Sequence, residues 1–286
     1  MTTATVAVTE PGVYEMDDEA YHRDPVPGGS LSASGVKLLL PKSCPAKFRY
    51  AQDHPRPPKR EFDLGHAVHR LVLGVGAELV PIDYETYRGL NARELRDGAY
   101  AKGLVPLLRH EYELAQEVAK AVLSDPLAGA LFSRGKPEQS LFWVDDETGV
   151  WRRSRLDWLP DANSWNGRVV IPDLKTADHA DPESFGRALH NYGYASQAAF
   201  YVDGVLALGL AEDAAFVFVV VEKEPPYLVS FYEPDAEALR IGRERNRRAL
   251  AIYRDCREAG MWPGYTTDVE QISLPRWVER QHEESE

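Results

Sequence analysis

The segment Arg168-Val-Val-Ile-Pro-Asp-Leu-Lys-Thr176 constrains the fold more than any other part of the chain. Val169 to Ile171 are all β-branched and predict a buried strand. Side chains alternate faces along a strand, so Asp173 and Lys175 point the same way while Leu174 points into the core. An acid and a lysine side by side at a strand end make a usable pair: one can hold a divalent cation, the other can orient a water or offset charge on a phosphate. Taken alone, Asp and Lys two apart read first as a solvated face with a weak ion pair. The rest of the chain decides between these readings by supplying partners or failing to.

Composition narrows the field. With 286 residues, 44% hydrophobic and 27% charged, the chain has the balance of an ordinary globular protein. No repeat, long linker or composition break divides it, so one domain is the simplest reading. No stretch approaches about 18 continuous apolar residues, and no membrane partner is expected. The N-terminal residues lack a basic n-region and an apolar core, so no secretory signal is expected. Cys44 and Cys256 are the only cysteines, too few for a disulfide framework or a zinc site, and a reducing cytoplasm is the expected location. A net charge of −12 argues against coating nucleic acid by bulk electrostatics. It leaves room for an enzyme whose carboxylates hold metal ions and whose basic residues line one groove.

Along the chain, residues 1–30 predict an irregular arm with one short element near Val13 to Tyr21. Residues 31–278 follow as one domain, and residues 279–286 as a frayed acidic tail. A helix starts near Leu31, with Ser32 or Ser34 as its cap. His54 to Arg60 form a proline-rich basic loop. Phe62 to Gly74 predict a buried helix in which Gly65 allows close backbone approach and Gly74 makes the stop. His69 lies on its packed face, where a lone histidine is more often a hydrogen-bonded core residue than a ligand. Residues 79–103 predict a short strand and an irregular crossover, and Val105 to Leu123 a helix. From Glu138 the period changes to two. Strands at 138–144 and 150–159, joined by a turn, make a hairpin, and the turn Asp161 to Gly167 leads into the Asp173 strand. The expected sheet is thus mixed, with a three-strand antiparallel meander bearing Glu138, Asp157 and Asp173. Arg153 and Arg155 share the Asp157 face. One long helix is predicted from Asp181 to about Leu208, with Gln197 and Tyr201 four apart on one face. Two strands (214–221 and 226–232) and an amphipathic helix from Pro234 to Gly260 complete the chain.

The order Gly65-X-X-X-His69, Asp157, Asp173-X-Lys175 sixteen residues later, then Gln197-X-X-X-Tyr201 resembles the PD-(D/E)XK nuclease superfamily. Within it the pattern is most similar to the RecB-like branch, especially the phage and prophage exodeoxyribonuclease VIII (RecE-like) proteins. The resemblance covers roughly residues 31 to 232. It implies an α/β (α+β) fold with a restriction-endonuclease-like core, and a metal-dependent exonuclease acting on double-stranded DNA ends, 5′ to 3′, in recombination. Two features depart from the pattern: Leu156 stands where the family has proline, and the third-strand acid is Asp. Relatives with an iron–sulfur cluster carry four cysteines, so no such cluster is expected in a chain with two.

The chemistry agrees with what the resemblance implies. Phosphodiester hydrolysis needs an activated water and charge stabilisation at phosphorus, and two divalent ions about 4 Å apart can do both. Asp157 and Asp173 supply hard oxygen ligands suited to Mg²⁺. The Ile171 or Leu174 carbonyl can add another oxygen. The family pattern makes His69 a further ligand, which suits Mn²⁺ as well. Lys175 would orient the water or offset phosphate charge. Glu138 falls where this branch often has another acid. Gln197 and Tyr201 would contact DNA or brace the catalytic lysine, or are simply polar groups on a packed helix. Arg153 and Arg155 are candidate phosphate contacts or plain surface charges. A single-strand annealing protein and a ring-shaped homo-oligomer are the partners the resemblance implies besides DNA.

Overall fold

The computed structural model describes residues 7–54, 57–161 and 168–283. The start of the arm (1–6), two residues of the proline-rich loop (55–56), all but the first residue of the Asp161–Gly167 turn, and the end of the acidic tail (284–286) lie outside the described residues.

In chain order the elements are β1 (Gly12–Tyr14), α1 (Asp18–His22), β2 (Leu31–Ser32), α2 (Ala33–Leu39), α3 (Pro45–Asp53) and a 3-10 turn (Arg60–Phe62). Next come α4 (Asp63–Leu73), β3 (Leu79–Ile82), α5 (Leu90–Tyr100), β4 (Val105–Leu108), α6 (Arg109–Ser124) and α7 (Pro126–Leu131). Then follow β5 (Gly135–Val144), β6 (Trp151–Pro160), β7 (Val169–Ala177), α8 (Pro182–Asn191) and α9 (Tyr194–Ala207). β8 (Ala214–Glu222), β9 (Val229–Tyr232), α10 (Ala236–Ala259) and α11 (Arg276–Glu283) complete the chain. The fold is mixed α/β, with mixed sheets flanked by helices. One sheet has the order β1-β5-β6-β2, one is the β3–β4 pair, and one has the order β7-β8-β9. No helix among the described residues is long and apolar enough to cross a membrane.

The near-continuous apolar run of β8 has a structural reason. β7 and β8 are parallel neighbours, and both faces of this pair are covered by helices, as buried parallel strands require. Val169, Ile171, Phe216, Phe218 and Val220 pack with α2, α9 and α10. Leu174, Val219 and Val221 pack on the opposite face with α4, α6 and α7. Burying each of these side chains is worth about 1.5–3 kcal/mol, so the strand carrying Asp173 and Lys175 is firmly held.

Several expectations change. The hairpin of β5 and β6 is antiparallel as expected, but β7 does not continue it as a third meander strand. The odd residues of β7 bond to the β8 side, as the Val169 N–H and the Ala177 carbonyl show. The even residues face β6, where Pro172 has no N–H to donate and the Leu174 N–H goes to the Asp157 carboxylate at 2.8 Å. A side chain thus replaces the ladder. The expected long helix splits into α8 and α9 at Gly193, which is left-handed at φ 67°. Val105 to Leu108 form a strand ahead of α6, and the region expected to be an irregular crossover contains α5. A Cβ at Gly65 would meet only the Thr176 hydroxyl at 3.5 Å, an ordinary contact, so no close approach depends on that glycine. The arm is woven into the fold from residue 8: β1 pairs with β5, and Val8, Tyr21 and Val26 bury against Phe142. Ser32, Asp181 and Gly74 do cap their helices as the sequence predicts.

Candidate active site

Five side chains from four elements meet where β5 and β6 pass the end of β7. α4 is amphipathic, and its packed face sets His69 against β7, where its Nε2 lies 2.7 Å from the Leu174 carbonyl. Its Nδ1 is 3.5 Å from Asp157 Oδ2 on β6. Glu138 stands on β5 directly opposite Asp157, between the Pro137–Trp158 and Gln139–Leu156 pairs. Like charges opposed across a ladder repel. Glu138 also has φ 53°, a left-handed conformation that costs about 1–2 kcal/mol for a side chain with a Cβ. Two local costs at one point are the pattern of a site shaped for function. His69, Glu138 and Asp157 bring ligand atoms within 4.8 Å of one another.

Asp173 adjoins this triangle without belonging to it. It is 1% exposed, its Oδ1 accepts from Gln197 Nε2 at 2.8 Å, and its Oδ2 is ion-paired with Lys175 Nζ. A pair this deeply buried excludes the solvated-surface reading of Asp-X-Lys.

Charge crowding shifts the titrations. Burial, then the neighbouring Asp173 carboxylate, pushes Asp157 up to about 7, against the pull of Lys175 and the Leu174 N–H. Burial and then Asp157 raise Glu138, while Arg155 opposes the rise. Burial, reinforced by Lys175, lowers His69 and keeps its ring neutral. Burial works against the Lys175 ammonium, but Asp173 and Asp157 together hold its pKa above the usual lysine value. The site therefore holds a fixed cation facing several carboxylates that resist ionising together.

The donor set fits a divalent metal. A neutral His69 that donates Nε2–H to the Leu174 carbonyl presents its Nδ1 lone pair to Asp157. Donation of the other ring N–H to a backbone carbonyl is the habit of metal-bound histidines. One imidazole and two carboxylates would then face one point with too few protons between them, an arrangement a cation resolves. Hard oxygens with one imidazole suit Mg²⁺ or Mn²⁺.

The other predicted residues fall as follows. Gln197 reaches the site by bracing Asp173. Tyr201 lies edge-on to Phe216 within the core, where burial raises its phenol well above the ordinary value. Arg155 clamps Glu138 at 2.5 Å and also bonds to the Met16 carbonyl and the Ser140 hydroxyl. Arg153 is the clear correction. Its side chain is 4% exposed and bonded to Asp24 and Ser30, so it ties the arm to β6 and is closed to phosphate. Sequence reasoning missed Tyr194, whose ring lies 5.2 Å from Lys175 Nζ. Its position three residues before Gln197, on the same helical face, was a legible signal.

Buried acids and a lysine on strands of a mixed sheet, with a helix histidine set against them, define a PD-(D/E)XK-type core. Residues 32–275 match the family described as a PDDEXK-like domain of unknown function (DUF3799), and the chain belongs to that family. No curated protein matches the sequence significantly. Among solved structures, a protein of Eubacterium rectale named "Putative exonuclease" superposes with a TM-score of 0.62 over 93% of this chain and 98% of its own, at 14% identity. At that identity the likeness establishes a shared fold. Another solved structure, SSO0001, aligns at a TM-score of 0.28 and 15% identity over 66% of this chain and 85% of its own, too weak to bear on the fold.

Proposed function

We propose that the chain is a metal-dependent deoxyribonuclease of the exodeoxyribonuclease VIII (RecE-like) kind, hydrolysing phosphodiester bonds at double-stranded DNA ends with 5′ to 3′ polarity. The observation that carries this reading is the triangle of His69, Glu138 and Asp157 set beside the buried Asp173–Lys175 pair. The name of the Eubacterium rectale structure supports exonuclease chemistry on this fold. In this reading the protein works in the cytoplasm, alongside a single-strand annealing protein in recombination, and as a ring-shaped homo-oligomer.

His69, Glu138 and Asp157 would hold Mg²⁺ or Mn²⁺, with Asp173 as the adjoining carboxylate. The metal would supply Lewis acidity at the phosphate and a more acidic bound water. Lys175 places a fixed positive charge where negative charge grows on the phosphorane. Gln197 holds Asp173 at the angle that keeps Lys175 in place. Arg155 fixes the Glu138 carboxylate.

The test is incubation of labelled linear and closed-circular duplex DNA with Mg²⁺, Mn²⁺ or EDTA. Metal-dependent loss of linear DNA alone, abolished by Lys175→Ala in a variant that still melts cooperatively, is the expected result. Cutting of closed circles would convert the reading to an endonuclease. Absence of cleavage in either metal would leave a DNA-end-binding subunit.

A further inference from the structure

The turn that separates α8 from α9 is Tyr192-Gly193, and with Tyr194, the first residue of α9, it borders the site. Gly193 is left-handed, and the Lys37 side chain crosses it, its Cε 3.2 Å from where a Cβ would stand. Lys37 Nζ lies 5.7 Å from the Tyr194 ring centroid, and Lys175 Nζ lies 5.2 Å from the same ring. One tyrosine thus serves two ammonium groups, one inside the catalytic cluster and one outside it. Burial, then the like charges of Lys175 and Arg245, lower the Lys37 pKa. Among the described residues Lys37 has no carboxylate partner. Arg245, on α10, has none either, and its buried Nε lacks a hydrogen-bond partner. Tyr192 is 59% exposed, with its ring centroid 5.5 Å from that of Tyr194.

Like charges held close repel, and an anion bound beside Lys37 would relieve that repulsion. In a chain of net charge −12, such a cluster at the rim of a catalytic site is selective for where that anion binds. An exposed aromatic ring beside cations is the arrangement on which bases of unpaired strands stack. We propose that Lys37 and Tyr192 form a nucleotide subsite beside Lys175. Lys37 holds the phosphodiester next to the scissile one, and an unpaired base stacks on Tyr192. The substrate strand therefore enters this point single-stranded, separated from its complement. This subsite rests on the nuclease reading above, and its test separates the two.

The experiment uses the full chain and a linear duplex with a short single-stranded overhang containing 2-aminopurine. Binding is followed in EDTA by fluorescence, and cleavage in Mn²⁺ by KM and kcat. Wild-type protein is expected to quench the 2-aminopurine. Tyr192→Ala should lose the quenching, weaken binding about tenfold and raise KM more than it lowers kcat, while Tyr192→Phe should retain binding and quenching. Lys37→Gln should lower the slope of log affinity against log salt by about 0.7, the loss of one phosphate contact to a single strand. If wild-type protein cleaves but Tyr192→Ala and Lys37→Gln match it in KM, quenching and salt slope, the subsite is refuted and the nuclease reading stands. If wild-type protein quenches and binds but never cleaves, the nuclease reading falls and the subsite remains.

Discussion

Asp157→Asn should make the metal-free protein more stable at alkaline pH while removing its metal response. Asn keeps the shape and the acceptor that the Leu174 N–H needs at 2.8 Å. It removes a charge that burial and Asp173 disfavour, raising the pKa of Asp157 from 3.8 to about 7. The folded state therefore binds this proton more tightly than the unfolded chain, so stability falls as pH rises from about 4 through about 7. At ~1.4 kcal/mol per tenfold change in proton affinity, the full penalty above pH 7 has a ceiling of ~4 kcal/mol. Neighbouring carboxylates share part of it, and about 2 kcal/mol is a realistic gain, roughly 5 °C in Tm for a chain of this size. The assay is thermal unfolding in EDTA at pH 8.5 and pH 5, then at pH 8.5 with Mn²⁺. The variant should melt higher than wild type at pH 8.5 and by a smaller margin at pH 5, where only part of the penalty has developed. Mn²⁺ should raise the wild-type Tm by binding the native state and move the variant little. A variant that melts below wild type at pH 8.5, or gains as much from Mn²⁺, would refute the crowded-carboxylate argument.

Glu138→Gly should relieve the left-handed backbone, gaining up to about 1 kcal/mol in a urea melt of the metal-free protein while losing metal-dependent cleavage. Gly242→Ala should destabilise by about 1–3 kcal/mol, because its Cβ would stand 2.3 Å from the Ala195 carbonyl oxygen where α10 crosses α9; chemical denaturation measures it. Arg153→Ala should cost about 3 kcal/mol by stranding the Asp24 carboxylate, and leave the salt dependence of DNA binding as in wild type.

His69, Asp157, Asp173, Lys175 and Gln197 were legible because their order along the chain is a pattern, and because Asp-X-Lys spacing shares a strand face whatever the sheet does. The roles within that set were less legible. Asp173, expected as a ligand, is engaged by Lys175 and Gln197, while the donor atoms of His69, Glu138 and Asp157 lie within 4.8 Å of one another. The nearness of Glu138 depends on β5 register, which no local signal encodes. Gly193 was hidden because apolar periodicity runs on through both α8 and α9, so a single helix fits the pattern equally well. Val105 to Leu108 were absorbed into the following helix for the same reason. Arg153 and Arg155 share a face and look interchangeable; only the fold of the arm, which brings Asp24 and Ser30 over one of them, sets their fates apart.

The peptide group of Leu174 gives its N–H to Asp157, and its carbonyl takes a hydrogen bond from His69. β7 turns this edge toward β6 without a ladder, so its buried peptide groups need side-chain partners. Here those partners are two of the residues that would hold the metal. Replacing either with alanine would leave a buried peptide group unpaired as well as removing a candidate ligand. A lineage that abandoned catalysis could not simply erase these side chains. Its cheapest path would be to amides, which keep the peptide group paired, and an inactive relative should be sought under that disguise.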